Sequence, residues 1–358
     1  MIRAILATII CGVLLCLPAI PQAPKAPSQQ QPQPDQPKAQ FTTSVNEVIV
    51  PVTVTDDKGK FISNLVKEDF RVFDEGQSQR ISFFSHDQKQ PIVVGFLVDL
   101  SNASRIHWKT YQDAMLELVW NMLPGDPRYS GYLISYANTA DLAVNTTTDS
   151  DKLADKIRKM KPGGGSALFD AIYKACSDRS LIKGEPYEPR RIIIVIGDGH
   201  DSASKKTLEE VLELAQRNLV TIYGISTMAF GFSNEDQQVL ERLTTETGGH
   251  VEYPLNSLYK DVSGYLSNPQ DAGNYALTVG TGGYAAEISR GIINSVAGVS
   301  GEIATQYVLR YRPDVEPEDR PKLFRKIKVD VPSLPTAKVR ARIGYFPNGV
   351  PAVVPLGQ

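Results

Sequence analysis

Residues 93–104 of the chain read VVGFLVDLSNAS and contain its clearest strand signal. An unbroken apolar run over residues 92–98 gives way to Asp99 and then to small hydroxyl and amide residues. An apolar run of this length, followed by a helix, is typical of a strand that is buried on both faces of a sheet. Because open α/β sheets bind ligands at the carboxyl ends of their strands, a binding site is expected at and just after Asp99.

From residue 91 onward, predicted strands alternate with predicted helices. The strands are expected at residues 92–98, 131–136, 191–196 and 220–225. The helices are expected at residues 108–123, 151–160, 166–181, 204–218 and 234–245, with Ser204 and Asn234 as N-caps. Repeated alternation of this kind predicts an α/β domain with a doubly wound, mostly parallel sheet that helices cover on both faces.

The segments on either side of this pattern are rich in β-forming residues. Strands are predicted before it at residues 45–55, 70–73 and 80–84, and after it at residues 306–311, 323–331 and 338–345. Residues 41–90 and 304–346 are therefore predicted to form one small β domain, with residues 91–303 inserted as the α/β domain. The inserted part is expected to contain a loop at about 259–283 and a helix at 284–303, and residues 347–358 are expected to form a tail.

The first residues have the composition of an export signal. Arg3 precedes an apolar run over residues 4–17, which is short for a membrane span. Residues 1–23 are predicted to be a signal peptide, and the Pro- and Gln-rich residues 24–40 to be an extended linker. The protein is then expected to be exported, with a periplasmic, cell-surface or secreted location and no transmembrane span in the mature chain. An uncleaved membrane anchor is the alternative.

The charge balance disfavours binding to nucleic acid or to anionic lipid. Lys and Arg total 38 and Asp and Glu total 40, so the net charge is −2, and the aromatic residues are not interleaved with basic ones. After removal of the signal peptide Cys176 is the remaining cysteine, so no intramolecular disulfide is expected.

Three later side chains carry oxygen atoms that this fold would bring near Asp99. Ser101 lies two residues after it, Ser166 follows the glycines at 163–165, and Asp198 ends the strand-like run IIIVIG. Two carboxylates and two hydroxyls form an oxygen-only set of the kind that a hard divalent cation such as Mg²⁺ prefers. Each residue alone is also an ordinary cap, so the combination on one α/β pattern is what predicts a metal site.

In these residues the sequence resembles the von Willebrand factor A domain. The metal-ion-dependent adhesion site (MIDAS) of that family is written DxSxS, then a Thr, then an Asp before Gly, and it matches at Asp99, Ser101, Ser166 and Asp198. The resemblance runs from about residue 91 to residue 254, and the flanks are similar to the secreted "VWFA-related" proteins described from Acidobacteria. It implies a Rossmann-like fold and adhesion to a protein partner through a bound Mg²⁺, Mn²⁺ or Ca²⁺ that an acidic side chain of the partner would approach.

The sequence departs from the motif at its third position. Ala103 has no oxygen to offer there, and Ser104 lies one residue later. Ser166 stands in the place of the Thr and keeps its hydroxyl. The resemblance thus implies a degenerate MIDAS in which a water fills the place of the missing hydroxyl.

Two other functions remain open at this point. A metal-free scaffold would keep the fold and bind through its surface. A haloacid-dehalogenase-like phosphatase would use Asp99 as nucleophile, and residues 197–201 (GDGHD) resemble the last acidic motif of that family. That chemistry needs a second carboxylate two residues after the nucleophile, where this chain has Ser101, so we expect no enzymatic activity.

Overall fold

A computed structural model describes residues 47–86, 91–105, 108–181, 189–228, 235–255, 282–313 and 324–347, with side chains of the last helix described from Ser289. These residues belong to one compact unit. The predicted signal peptide, the linker, most of the predicted loop at 259–283, nearly all of the tail and the N-cap residue Asn234 lie outside the described residues. No helix in the described part of the chain is long and apolar enough to cross a membrane.

The described elements follow one another in chain order. The strands are β1 Val48–Thr55, β2 Arg71–Asp74, β3 Gln77–Gln79, β4 Ile81–Ser85, β5 Ile92–Asp99, β6 Tyr129–Tyr136, β7 Ala140–Thr147, β8 Arg190–Gly197, β9 Thr221–Ser226, β10 Val251–Glu252, β11 Tyr307–Tyr311, β12 Arg325–Asp330, β13 Lys338–Ala341 and β14 Gly344–Tyr345. The helices are α1 Trp108–Met122, α2 Ser150–Arg158, α3 Leu168–Ser177, α4 Leu208–Arg217, α5 Glu235–Thr245 and α6 Gly282–Thr305.

The central sheet has the strand order β10-β9-β8-β5-β6-β7. β5 lies between β8 and β6, is parallel to both, and is buried along its whole length. β7 is antiparallel to β6 and forms one edge. The predicted α/β class with a mostly parallel sheet is confirmed, whereas β7 was not predicted. As an edge strand, β7 is paired on one side and mostly half-buried, so its sequence lacks a continuous apolar run.

Helices cover both faces of this sheet. α1, α2 and α6 bury their apolar side chains on one face, and α3, α4 and α5 bury theirs on the other. Side chains of α6, which lies beyond the strand–helix alternation, reach the centre of the first face: Ile292, Val296, Val299 and Ile303.

Two antiparallel sheets flank the central sheet, with strand orders β13-β1-β11-β4 and β14-β12-β2-β3. Each combines strands from before and after the α/β region; β1, for example, pairs with both β11 and β13. Apolar residues of both sheets meet in one hydrophobic cluster. The flanking β structure that was predicted from the two ends of the chain is confirmed, while the boundaries of a separate β domain stay a prediction.

Two details of the flanking sheets differ from the predicted strands. Residues 338–345 were expected as one strand, but they form β13 and β14, which belong to different sheets. The break falls at Arg342, whose buried guanidinium donates to the carbonyl of Leu219. The backbone of Arg342 also packs closely against Gly248: a Cβ at Gly248 would lie 2.7 Å from the backbone nitrogen of Arg342. The expected loop after β2 contains a two-residue hairpin turn, with Glu75 and Gly76 both at positive φ, and then β3.

The N-terminus of α4 also differs from its prediction. Thr207, not Ser204, caps this helix, and the hydroxyl of Thr207 accepts from the backbone nitrogen of Glu210. Ser204 instead donates to Asp201 and accepts from the backbone nitrogen of Asp170. Ser204 therefore connects the loop after β8 to the start of α3 through hydrogen bonds.

Candidate metal site

The predicted site residues lie on three segments at the carboxyl edge of the central sheet. Asp99 is the last residue of β5, Asp198 follows the last residue of β8, and Ser166 lies two residues before α3. Because β5 and β8 are adjacent and parallel, their ends meet at the same edge, as expected for an open α/β sheet.

Asp99 and Ser101 are in direct contact. Both are buried, and Oδ1 of Asp99 accepts a 2.7 Å hydrogen bond from the backbone nitrogen of Ser101. The hydroxyl of Ser101 donates to Oδ2 of Asp99 at 3.1 Å. These bonds orient the carboxylate and place the Ser101 oxygen beside it.

Ser166 is fully buried and joins two of the three segments. Its hydroxyl donates to the carbonyl of His200 at 2.7 Å, and its own carbonyl accepts from the backbone nitrogens of Ser202 and Ala203. Ser166 therefore lies against the loop that follows Asp198.

The glycines before Ser166 connect this segment to the loop after β5. The backbone nitrogen of Gly163 donates to the carbonyl of Leu100, and that of Asn102 donates to the carbonyl of Gly164. The side chain of Asn138, just beyond β6, accepts from the backbone nitrogen of Gly165 at 2.6 Å. Gly164 has φ +116°, a backbone conformation that side chains rarely adopt, so a glycine is required in this connection.

Asp198 is half-buried, and its Oδ1 accepts from the backbone nitrogen of His200 at 2.9 Å. The preceding residue, Gly197, lets the two strand ends approach closely. A Cβ at this position would lie 3.0 Å from Cβ of Asp99 and 2.4 Å from the hydroxyl of Tyr136. Close approach of β5 and β8 brings the two carboxylates within electrostatic reach of each other.

The electrostatics of the site disfavour an ionised Asp99. Burial raises its pKa from 3.8 to about 6; the hydrogen bonds from Ser101 oppose this shift, and the negative charge of Asp198 adds to it. A nearby positive charge would offset both unfavourable effects.

The third motif position is occupied differently from the expectation. Ala103 is exposed, whereas Ser104 is buried. Residues Ala103–Arg105 form a 3₁₀ turn, so neighbouring side chains point in different directions. The spacing of the motif predicted that residue 103, not residue 104, would face the site. The cluster of turn-forming residues SNAS was the local signal of this turn.

Other acidic side chains near this edge have structural roles. Asp201 accepts from the backbone nitrogen of Phe169 and from the hydroxyl of Ser204, at the start of α3. Asp236 pairs with the imidazole of His200 at 3.1 Å. In the described ranges, no group of three or more His, Cys, Asp and Glu side chains is arranged to hold a metal ion.

The residues that the structure brings to this edge nevertheless fit a hard divalent cation. The donors are carboxylate and hydroxyl oxygens, which are the ligands that Mg²⁺ prefers. The site also contains a buried hydroxyl oxygen, Oγ of Ser104, that has no hydrogen-bond partner among the described residues. Asp99, Ser101, Ser166 and Asp198 would hold such an ion.

The solved structures that this chain resembles are distant in sequence. BatB from Bacteroides thetaiotaomicron is 17% identical with a TM-score of 0.37, covering 49% of this chain and 97% of that chain. Proximal thread matrix protein 1 from the mussel byssus, with a zinc-occupied MIDAS motif, is 17% identical with a TM-score of 0.38, covering 47% of this chain and 42% of that chain. No curated protein matches the chain significantly.

The family model of the von Willebrand factor type A domain matches residues 94–260. This segment holds Asp99, Ser101, Ser166 and Asp198, and domains of this family often mediate protein interactions. The narrower resemblance to the Acidobacterial proteins stays a prediction. Residues 94–260 of this chain form a von Willebrand factor type A domain.

Proposed function

We propose that this protein is an exported binding or adhesion module that engages a protein partner at the carboxyl edge of its central sheet. Asp99, Ser101, Ser166 and Asp198 would hold a divalent metal ion there, with Mg²⁺ as the expected ion. The observation that carries the proposal is the placement of two carboxylates, Asp99 and Asp198, at the ends of the adjacent strands β5 and β8. Burial and the charge of Asp198 together raise the pKa of Asp99 to about 6.

The protein residues would each have a defined part in this binding. Asp99 supplies charge and is oriented by Ser101, and Ser166 is held in place through its bond to the carbonyl of His200. A divalent ion bound by these residues offers a free coordination position to an acidic side chain of a partner. Asp198 is half-exposed, so a partner could reach this part of the site.

We further propose an exported location and no catalytic activity. The export signal that the sequence predicts, Arg3 followed by the apolar residues 4–17, supports the first. The second is supported by Ser101, which stands where dehalogenase-like chemistry needs a carboxylate and whose hydroxyl is bonded to Asp99.

Metal titration of the purified protein by calorimetry tests the proposal. Wild type is expected to bind Mg²⁺ and Mn²⁺, and Asp198→Asn should weaken binding at least about tenfold, or 1.4 kcal/mol, because it removes a charge while keeping the side-chain shape. Asp330→Asn is the matched control, since Asp330 is equally half-buried but lies in β12 of a flanking sheet.

Two results would count against the metal-dependent function. If wild type binds neither ion, the metal-free scaffold becomes the better account. If Asp198→Asn and Asp330→Asn bind as wild type does, the ion is held elsewhere and the proposed ligand set is wrong.

A further inference from the structure

The loop after β5 contains a buried hydroxyl whose hydrogen bonding is not satisfied. Ser104 is 4% exposed, and its Oγ has no hydrogen-bond partner among the described residues. Buried polar groups are nearly always paired, and leaving one unpaired costs about 1–3 kcal/mol. An unpaired hydroxyl in the loop that directly follows Asp99 is therefore available to an added ligand.

The local turn points this hydroxyl toward the site. The backbone nitrogen of Ser104 donates to the carbonyl of Ser101 at 3.2 Å, and the backbone nitrogen of Arg105 donates to the carbonyl of Asn102 at 3.3 Å. The loop therefore forms a 3₁₀ turn. In such a turn residues three apart lie on the same side, which puts Ser104 on the side of Ser101. Ala103 is rotated from Ser104 by about 120°, which agrees with its exposure.

Electrostatics agree with this placement. The pKa of Asp99 is raised mainly by burial, and the hydroxyls of both Ser101 and Ser104 lower it again. A hydroxyl that lowers this pKa lies close to the carboxylate, which agrees with the inward position of the buried Ser104.

We propose that Ser104, displaced by one residue from the motif position held by Ala103, is the hydroxyl ligand that completes the metal site of this chain. The inference rests on the proposed function, because it concerns the same site. It replaces the expectation of a site with one ligand fewer by a site with a full set of side-chain oxygens, in which Ala103 has no role.

The test compares Mn²⁺ binding by wild type with binding by Ser104→Ala, Ala103→Ser and Ser130→Ala. Calorimetry measures the affinity, and water-proton relaxation counts the waters on the bound Mn²⁺. Ser130 is the matched control, because it too is 4% exposed and its hydroxyl has no partner among the described residues. Ser130 pairs with Val93 of β5, which lies six residues before Asp99, so Ser130 is about 20 Å from Asp99.

Ser104→Ala is expected to weaken Mn²⁺ binding about tenfold and to add one water to the bound ion, because water takes the place of the hydroxyl. Ala103→Ser and Ser130→Ala should stay within about twofold of wild type. In the presence of a chelator, Ser104→Ala should melt close to the wild-type temperature, since the lost hydroxyl makes no regular hydrogen bond with the described residues.

Several outcomes would overturn the inference. It is wrong if Ser104→Ala binds Mn²⁺ as wild type does while Asp198→Asn does not, and this result leaves the proposed function intact. It is equally wrong if Ala103→Ser tightens binding about tenfold and removes a water, because that place would then have held a water. A lower melting temperature for Ser104→Ala with unchanged affinity would give Ser104 a purely structural role. Absence of Mn²⁺ binding by wild type would remove both proposals.

Discussion

At the scale of single residues, the folded structure disfavours the ionised state of Asp99. The residue is 2% exposed, and burial raises its pKa from 3.8 to about 6, with a further contribution from the charge of Asp198. Between these two pH values the native protein keeps a proton that the unfolded chain has lost. Native stability therefore falls as the pH rises from about 4 to about 6, and it stays lower above that range.

Replacement of Asp99 by Asn should stabilise the metal-free protein at pH 7.5. About two pKa units correspond to roughly 3 kcal/mol, which is an upper limit for the gain in free energy of unfolding. An amide keeps the oxygen that accepts from the backbone nitrogen of Ser101. Urea unfolding with a chelator, at pH 7.5 and at pH 4, measures the effect, and the gain should be absent at pH 4.

The same substitution should abolish metal binding, since the amide carries no charge. A variant that binds no metal but is more stable than wild type would show that Asp99 is kept for its site rather than for the fold. Equal stability of the two proteins at pH 7.5 would contradict this account.

At the scale of elements, α6 connects the central sheet to a flanking sheet through a buried carboxylate. Glu302 is fully buried and accepts from the hydroxyls of Thr53 in β1, at 2.8 Å, and Tyr223 in β9, at 3.3 Å. It also pairs with Arg340 in β13 and, at 3.1 Å, with the ring of His250. Burial disfavours charge on His250, but its bonds to carboxylates outweigh burial and raise its pKa to about 9.

Truncation of Glu302 to Ala should lower the free energy of unfolding by about 3–5 kcal/mol, because it leaves buried partners without their counter-charge. Glu213→Ala is the control: Glu213 pairs with Arg217 on the surface of α4, and its loss should cost less than about 1 kcal/mol. Urea unfolding at neutral pH compares the two variants. Similar losses would mean that the network around Glu302 does not stabilise the protein more than a surface pair does.

At the scale of the whole molecule, the segments before and after the α/β region form the flanking sheets together. Both flanking sheets combine strands from before and after the α/β region. Asp74 in β2 is fully buried and accepts 2.9 Å hydrogen bonds from the hydroxyls of Tyr311 and Tyr345, and its other oxygen accepts from Arg325. These residues lie far apart in the sequence, so neither end forms this structure alone.

Limited proteolysis should therefore not release a stable fragment of residues 91–268. Such a fragment would lack α6, whose side chains Ile292, Val296 and Val299 are buried on the central sheet, and it would expose that face to water. Mass spectrometry of the digest over time identifies the products. A persistent, folded fragment with these ends would show that the α/β part is independent of α6 and of the flanking sheets.

Local sequence patterns determined the central sheet and the candidate site. The apolar runs of β5 and β8 are buried on both faces, so their strand character could be predicted without knowledge of neighbours. The four oxygen-bearing residues could be predicted because Asp99, Ser101 and Asp198 lie at or just after the ends of these two strands. Ser166 lies just before α3. What could not be predicted is β7, an edge strand whose half-buried residues carry no strong pattern.

The three-dimensional structure alone decided which of the residues after Asp99 are buried. Ala103 and Ser104 are adjacent in a loop, and a 3₁₀ turn rotates Ser104 inward and Ala103 outward, an orientation that spacing in the sequence does not encode. Long-range packing likewise divided residues 338–345 between the two flanking sheets and placed Glu302 between β1 of a flanking sheet and β9 of the central sheet. Such pairings depend on contacts between segments hundreds of residues apart, whereas the periodicity of a strand or helix depends on its own residues.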